Sequence, residues 1–251
     1  MDINSRFYDD LAVNYRYIFQ DWERSVDQHA DAIDSIIRRI FGRRVKTILD
    51  ASCGIGTQLI GLARRGYAMT GSDISRKELA LAGKELKRRK LKADLRPADF
   101  RDLSSAFKDN FDLIISCDNS VPHCLSDEEI LKALRSMYAR TRYGALLTVR
   151  DYDNVDRSKV QLFPYGHRMI KGVKTFLFQR WEFEGDLYTV SFFFVRDDKL
   201  APSAGVSGKV YKTKYYAVKT GKMVELMKQA GFRQVQCLKK DFYQPVLVGL
   251  K

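Results

Sequence analysis

The segment from Asp50 to Gly56 constrains the fold more than any other part of this sequence. It follows strand-like residues 47–51 and precedes a helical pattern at 57–65. Gly54 and Gly56 allow a tight turn in which the backbone can approach a ligand closely. The next helix presents unpaired N–H groups in its first turn, which favours binding of a polar ligand there. This strand-turn-helix unit predicts a nucleotide or nucleoside site.

Residues 46–153 continue with alternating strand-like and helix-like patterns. After the first unit we predict strands at 68–73, near 94–98, at 111–118 and at 144–152, and helices at 76–90 and 127–141. Such alternation implies parallel strands joined by right-handed helical crossovers. We therefore predict an α/β fold with a Rossmann-like, seven-stranded, mostly parallel sheet, which includes two strands at the end of the chain.

The segments on either side of this cofactor-binding core have other patterns. Residues 1–45 predict a helical N-terminal extension, and residues 219–251 predict a C-terminal helix and a strand pair. Residues 154–218 predict an antiparallel insertion over the substrate site, with strands at 173–183, 187–196 and 209–218 and turns at Glu184-Gly185-Asp186 and Arg196-Asp197-Asp198. We expect the 251 residues to form a single domain with these four parts.

Composition limits the classes of protein that are compatible with this chain. No apolar stretch is long enough to cross a bilayer, and the residues after Met1 do not have the pattern of a leader peptide. The spacing of the four cysteines does not suit zinc, so we expect a reduced, cytoplasmic protein without a metal: Cys53, Cys117, Cys124 and Cys237. The net charge of +13 keeps a nucleic-acid partner open as an alternative.

Further polar residues follow the next two strands of the predicted sheet. Asp73 closes the second strand, where a carboxylate can accept hydrogen bonds from two ribose hydroxyls. Asp99 and Phe100 follow the third strand and offer a carboxylate for an adenine amino group and an aromatic face for the ring. Leu59 stands where a dinucleotide motif has its third glycine, which argues against a diphosphate-bridged cofactor.

The order of these residues resembles the motif series of class I S-adenosylmethionine-dependent methyltransferases. That resemblance implies S-adenosyl-L-methionine as the cofactor, and it implies cofactor contacts from the core residues Asp50, Ser52, Gly54, Gly56, Asp73, Asp99, Phe100 and Cys117.

Over nearly its whole length the chain is also similar to glycine N-methyltransferases and glycine/sarcosine N-methyltransferases. The segments YRYIFQDWER, LDASCGIGT, FDLIISCDNSVPH and VRDYD carry this similarity. It implies that Tyr17 and Arg24 close over the cofactor, with Arg24 facing its methionine carboxylate. It also implies that Asn119 accepts a hydrogen bond from the attacking amine, and that Arg150 clasps the carboxylate of the substrate.

The insertion resembles that of the same enzymes less specifically. The segments LYTV and KYYAV place tyrosines at positions that line the substrate pocket or lie next to it: Tyr188, Tyr215 and Tyr216. We count Tyr188 and Tyr216, with Asn119 and Arg150, as the catalytic group. As alternatives, the strand tyrosines are plain sheet residues, and Arg150 forms an ion pair with Asp151 or Asp153.

Some residues depart from the pattern of the glycine enzymes. Asp118 stands where those enzymes have a small residue, and the extra carboxylate would favour a more cationic substrate. Asp99-Phe100 replaces an Asn-Trp pair, and Asn14 replaces a tryptophan near the cofactor. His123 could act as a base or be held by a backbone partner, and we assign it no catalysis.

The sequence therefore predicts an N-methyltransferase that acts on a small amino acid, most simply glycine or sarcosine, without a membrane partner. A homo-oligomer is compatible with the resemblance. The alternatives are a methyltransferase for another small acceptor, an RNA-associated protein, and a cofactor-binding protein without activity.

Overall fold

The computed structural model describes residues 3–196 and 207–251. Its eleven described strands form two sheets. The strands of the first sheet are β1 (Thr47–Asp50), β2 (Ala68–Asp73), β3 (Asp94–Pro97), β4 (Phe111–Ser116), β5 (Thr141–Thr148), β10 (Arg233–Leu238) and β11 (Val246–Leu250). The strands of the second sheet are β6 (Gln161–Ile170), β7 (Val173–Glu184), β8 (Leu187–Arg196) and β9 (Ser207–Tyr216).

The seven-stranded sheet has the order β10-β11-β5-β4-β1-β2-β3. Strands β1 to β5 pair in parallel, whereas β11 pairs antiparallel with both β5 and β10. This arrangement confirms the predicted α/β, Rossmann-like fold. The carboxyl ends of β1, β2 and β4 lie side by side, because Asp50 pairs with Gly71 on one side and with Ile115 on the other.

Helices cover both faces of this sheet. The described α-helices are α1 (Ile3–Tyr15), α2 (Trp22–Phe41), α3 (Thr57–Arg64), α4 (Arg76–Arg88), α5 (Leu103–Ala106), α6 (Asp127–Arg140) and α7 (Thr220–Gln229), of which α2 to α7 cover the sheet. Residues of α2, α3 and α4 form one apolar layer with the sheet, and residues of α5, α6 and α7 form the other. Burial of both sheet faces explains the nearly continuous apolar character of β1 and β4.

Side-chain caps determine where several helices begin. The Asp21 side chain accepts from the Arg24 N–H at 3.1 Å and starts α2, and Ser126 caps α6 through the Glu129 N–H at 3.3 Å. Such caps satisfy backbone donors that have no partner within the helix. Helix α2 then buries Ile33, Ile36 and Ile37, at the spacing that the sequence predicts for a core-facing helix.

The insertion is a four-stranded antiparallel sheet in which β6, β7, β8 and β9 are neighbours in chain order. The sequence predicts its last three strands but not β6, whose pattern is interrupted by Pro164 and Gly166, where the pairing with β7 shifts register. Gly185, with φ of 64°, lies in the predicted turn between β7 and β8. The other predicted turn includes Asp197 and Asp198, which lie outside the described residues.

Helix α1 belongs to the core of the insertion. Its Phe7 and Leu11 are buried together with Tyr152, Trp181 and Tyr188. In the same helix, the Ser5 hydroxyl donates at 3.1 Å to the carbonyl of Ile74, the residue directly after β2. Helix α1 therefore spans from the insertion to the carboxyl end of β2.

Two strand limits differ from the prediction. The fourth core strand ends at Ser116 rather than at residue 118, and the fifth runs from Thr141 to Thr148 rather than from 144 to 152. The residues that follow Ser116 and Thr148 therefore lie in loops, and Cys117, Asp118 and Arg150 among them contribute to the candidate site. None of the described helices is long and apolar enough to cross a membrane. All four cysteines are free thiols, and the described residues contain no cluster suited to a metal ion.

Candidate active site

A cleft opens at the carboxyl ends of β1, β2 and β4, beneath helix α1. The residues that line it from the core include Ser52, Cys53, Gly54, Asp73, Ile74, Glu78, Asp99, Phe100, Cys117 and Asp118. Helix α1 adds Asn4, Tyr8 and Tyr15. Most of the core residues that the sequence assigns to the cofactor therefore meet in one place. We call this cleft the cofactor cavity.

The turn after β1 has the geometry that its glycines predict. Gly54 and Gly56 have φ of 52° and 95°, a region that other residues rarely adopt. The Gly54 N–H donates to Asp73 Oδ2 at 2.9 Å, and the Ser75 N–H donates to Asp73 Oδ1 at 2.9 Å. Burial raises the pKa of Asp73 to about 6 despite these donors. Asp73 thus ties the turn after β1 to the start of α4.

Asp50 lies beneath this turn and does not line the cofactor cavity. It is fully buried, its Oδ1 accepts from the Ser52 N–H at 3.4 Å, and its Oδ2 has no partner among the described residues. Burial, reinforced by the charges of Asp73 and Asp118, raises the pKa of Asp50 to about 8. Asp50 therefore supports the turn from below, and Gly56 likewise lies outside the lining.

The raised pKa of Asp50 predicts a distinctive dependence of stability on pH. Because its folded pKa of about 8 exceeds the ordinary value, the folded state holds an extra proton between roughly pH 4 and 8, and its contribution to stability falls as pH rises. Asp50→Asn removes this titration. From pH 5 to pH 8, urea unfolding should show the variant gaining stability over the wild type, by at most about 1.4 kcal/mol per pH unit.

The matched control for that experiment is Asp10→Asn, because Asp10 is exposed on α1. Its difference from the wild type should stay constant over the same pH range. A constant difference for Asp50→Asn as well would contradict the raised pKa.

The third strand leads to Asp99 and Phe100, which line the cofactor cavity as predicted from their positions. The Arg101 guanidinium binds both Asp99 oxygens, at 2.6 to 3.0 Å, and also reaches Glu129 at 2.9 Å. Asp99 is thus an ion-paired carboxylate. Arg101 also lines the cavity and is not among the predicted site residues, although a cation two residues after a carboxylate is a signal that could have identified it.

A second cavity, of about 310 Å³, lies next to the first and shares Tyr8, Tyr15 and Asp118 with it. Its remaining lining residues are Ile18, Phe19, Gln20, Ser25, His29, Arg150, Tyr165, Gln179, Phe192, Tyr215, Tyr243 and Gln244. Aromatic rings dominate this lining, and its charged members are Arg150 and Asp118, of opposite sign. We call it the acceptor cavity.

Arg150 is held in the acceptor cavity by neutral groups. Its Nη1 donates to the Tyr188 hydroxyl at 2.9 Å, and its guanidinium lies 4.8 Å from the centre of the Trp181 ring and 5.1 Å from that of Tyr215. Among the described residues it makes no ion pair. The neighbouring Asp151 and Asp153 instead bind Lys239, at 3.4 and 2.9 Å. The structure therefore decides against the alternative of a structural ion pair with either aspartate.

Asn119 lies in a strained turn directly after β4. Asp118 and Asn119 have φ of 58° and 68°, which is uncommon for residues other than glycine. Asn119 Oδ1 accepts from the Arg150 N–H at 2.9 Å and from the Tyr152 hydroxyl at 2.9 Å. Both lone pairs are used, so this oxygen is not available to accept from an amine, as the resemblance had implied. Asn119 instead fixes the backbone of Arg150.

The predicted tyrosines take different places. Tyr188 is 1% exposed and lies behind the cavity, where its hydroxyl contacts Arg150 and that of Tyr152 at 2.6 Å. Tyr215 lines the acceptor cavity. Tyr216 does not, and its hydroxyl donates to Asp127 at 2.8 Å. The alternation of side chains along β9 separates these adjacent residues.

Two N-terminal residues that the resemblance assigns to the cofactor do not lie at the cofactor cavity. Tyr17 and Arg24 line neither cavity, and Arg24 is exposed in the first turn of α2. Tyr8 and Tyr15 take the N-terminal places in both cavities. Neither tyrosine is among the predicted site residues, although their spacing of seven residues puts both on one face of a helix.

Asp118 lies where the two cavities meet. Its carboxylate accepts from Gln58 Nε2 at 3.0 Å and from the Tyr243 hydroxyl. The Tyr243 ring stacks on His29 at 4.9 Å between centres, and Gln58 Nε2 is 3.1 Å from His29 Nδ1. The cavities thus share a carboxylate that neutral donors hold in place.

His123 contributes to the wall of the cofactor cavity. The Tyr8 hydroxyl is 2.7 Å from its Nε2, and its ring lies 4.0 Å from that of Tyr215. The partner of His123 Nε2 is therefore a side chain of α1 rather than a backbone group.

This chain is similar in sequence to known methyltransferases. Residues 48–144 match the model of a family described as methyltransferase domain. The glycine/sarcosine N-methyltransferase of Parasynechococcus marenigrum (strain WH8102) is 25% identical over 241 residues, covering 89% of this chain and 78% of the relative. Human glycine N-methyltransferase is 31% identical over 123 residues, covering 43% of this chain and 42% of the relative.

Solved structures share the fold over most of the chain. DesVI of Streptomyces venezuelae superposes with a TM-score of 0.73 at 21% identity, covering 90% of this chain and 92% of that one. CalS10 of Micromonospora echinaspora, an amino pentose methyltransferase solved with bound S-adenosylmethionine, superposes with a TM-score of 0.76 at 17% identity, covering 95% and 94%.

The fold, the turn after β1 and these similarities define an S-adenosylmethionine-dependent methyltransferase of class I. Among such enzymes, this chain resembles the glycine and glycine/sarcosine N-methyltransferases. The residues of the cofactor cavity fit the cofactor: Asp73 has the position and acceptors for a ribose, and Phe100 offers an aromatic face for adenine.

Proposed function

We propose that this enzyme transfers a methyl group to the amine of a small amino acid, with glycine and sarcosine as the first candidates. The observation that carries the proposal is the Arg150 guanidinium, which faces the acceptor cavity without an ion pair among the described residues. A cation held only by hydroxyl and aromatic groups is ready to bind an anionic ligand. Its planar fork suits a carboxylate, which accepts two parallel hydrogen bonds.

The proposed mechanism is mainly one of positioning. When bound, S-adenosylmethionine supplies a methyl group that its sulfonium already activates. Arg150 holds the carboxylate of the acceptor, and Asn119 fixes the backbone of Arg150 through its 2.9 Å hydrogen bond. Aromatic residues of both cavities, among them Tyr8 and Tyr15, exclude water from the space between them. Holding the acceptor amine and the methyl group in line removes the entropy cost of bringing them together in solution, and this accounts for much of the rate acceleration.

Asp118 is the residue that would bind the amine of the acceptor. Its carboxylate stands at the junction of the two cavities, so it can attract an ammonium group and accept a hydrogen bond from the amine. The nitrogen of an ammonium has no lone pair, so the acceptor must lose a proton before it attacks, and the Asp118 carboxylate can accept that proton. The freed lone pair then forms the N–CH3 bond while the bond from the methyl carbon to the sulfonium sulfur breaks, and the sulfur departs as a neutral thioether. Arg150 and Asp118 together match the two charges of an amino-acid zwitterion.

A second candidate is a methyltransferase for another small acceptor, larger than glycine or more cationic. Two observations favour it. The acceptor cavity has a volume of about 310 Å³, which is more than glycine fills. In addition, Asp118 supplies a carboxylate where the glycine enzymes have a small residue.

A methyl-transfer assay across acceptors tests the proposal. Purified protein and S-adenosylmethionine labelled in the methyl group are incubated with glycine, sarcosine, dimethylglycine and small amines without a carboxylate. Transfer should occur to glycine or sarcosine and should fall by about 100-fold in kcat/KM for ethylamine, because the Arg150 contact is lost. Equal rates with and without the carboxylate would contradict the assignment. Transfer only to larger cationic amino acids would favour the second candidate.

A further inference from the structure

Glu78 is a buried carboxyl in the cofactor cavity, and the hydrogen bonds within the protein do not account for its position there. It is 2% exposed, it lines the cavity, and its Oε1 has no hydrogen-bond partner among the described residues. Burying a polar group without a partner destabilises a protein, so such groups are rare without a function.

The sequence around Glu78 predicts a purely structural role, which the structure does not show. Ser75-Arg76-Lys77-Glu78 has the pattern of a capping box, in which the glutamate reaches back to the N–H of the capping serine. The first half forms, because the Glu78 N–H donates to the Ser75 hydroxyl at 3.1 Å. The second half does not, because the Ser75 N–H donates to Asp73 at 2.9 Å. Asp73 thus displaces the Glu78 carboxyl from its helix cap.

The displaced carboxyl lies beside the same turn as Asp73. A Cβ atom added to Gly54 would stand 3.2 Å from Glu78 Oε2, while the Gly54 N–H donates to Asp73. The two carboxyls therefore flank one residue of the turn and face one cavity. Each Asp73 oxygen already accepts a backbone N–H, which leaves it reduced capacity for a diol.

We propose that Glu78 is a second carboxyl of the ribose subsite, which hydrogen-bonds the ribose hydroxyls of the cofactor beside Asp73. Burial, with Asp73 and Asp9 nearby, raises the pKa of Glu78 well above its usual range. A neutral carboxyl both donates and accepts, as does each hydroxyl of a ribose, so the two groups are complementary. This role of Glu78 in cofactor binding does not depend on which acceptor the enzyme methylates.

Binding measurements with two nucleosides test this assignment. Titration calorimetry should show that Glu78→Met weakens both S-adenosylhomocysteine and 5′-methylthioadenosine by a similar factor of about tenfold, because both carry the ribose. Glu78→Gln, which can still donate and accept, should bind both within about threefold of the wild type. Lys77→Met, on the exposed side of the same helical turn, should bind like the wild type.

The thermal stability of the protein without ligand separates a binding role from a structural one. Because Glu78→Met removes an unpaired buried carboxyl, its Tm without ligand should equal or exceed that of the wild type. A lower Tm for Glu78→Met would show that Glu78 is structural and would overturn the proposal. Unchanged affinity for both nucleosides would also overturn it. So would a loss confined to S-adenosylhomocysteine, since that would place Glu78 at the amino-acid end of the cofactor.

Discussion

Arg150→Ala is expected to raise KM for a carboxylate acceptor by about 100-fold or more while leaving the Kd for S-adenosylmethionine within about threefold of the wild type. The guanidinium lies in the acceptor cavity and not in the lining of the cofactor cavity, so only acceptor binding loses a contact. Initial rates at varied acceptor and calorimetry with the cofactor give the two constants separately.

Two further variants sharpen this test. Arg150→Lys keeps the charge but not the planar fork, so it should recover only part of the lost affinity for the acceptor. Arg180→Ala is the matched control, because Arg180 pairs with Glu182 and contacts Phe193 in the insertion without lining either cavity. It should behave like the wild type. Equal increases in acceptor KM and cofactor Kd for Arg150→Ala would refute the assignment of Arg150 to the carboxylate.

Asp73→Asn is expected to weaken binding of S-adenosylhomocysteine by about 30-fold or more, because hydrogen bonds to charged groups contribute about 1.5–3 kcal/mol each. In the wild type, each Asp73 oxygen accepts a backbone N–H at 2.9 Å. The asparagine amide has only one oxygen, so its NH2 group would face one of these two backbone N–H donors and could not accept from it. The turn after β1 and the ribose acceptor are then perturbed together.

Calorimetry measures that loss, and circular dichroism shows whether the variant is folded. The matched control is Asp94→Asn, since Asp94 begins the neighbouring strand β3 and pairs with Arg96 at the surface. It should bind S-adenosylhomocysteine like the wild type. A folded Asp73→Asn protein with unchanged affinity would remove Asp73 from the ribose subsite.

Some residues of the candidate site could be predicted from the sequence, and others could not. Gly54, Asp73 and Phe100 could be placed in advance, because each ends or follows a strand of a parallel sheet and the carboxyl ends of such strands meet at one edge. Arg24 and Tyr17 were assigned only through similarity to other enzymes, and the structure brings neither to a cavity. Their position depends on how the N-terminal helices pack, which local sequence does not encode.

For Asn119 and Glu78, the local sequence likewise does not show which side-chain atoms remain free to bind a ligand. Each residue type is suited to hydrogen bonding, and each lies near the expected place. Which atom is free depends on competing partners distant in the chain: Arg150 and Tyr152 occupy the Asn119 oxygen, and Asp73 takes the N–H that Glu78 would have capped. Such competition is decided only when the elements pack together.

By itself, the sequence determined the turn from Asp50 to Gly56, the alternation of strands and helices, and thereby a nucleoside-binding α/β sheet. These follow from backbone freedom at glycine and from hydrophobic periodicity, which act over a few residues. The tertiary structure alone decided that Asp50 lies beneath the turn, that α1 contributes to the walls of both cavities, and that Arg150 pairs with no aspartate among the described residues. Burial and long-range contacts set those outcomes, because they depend on segments far apart in the chain.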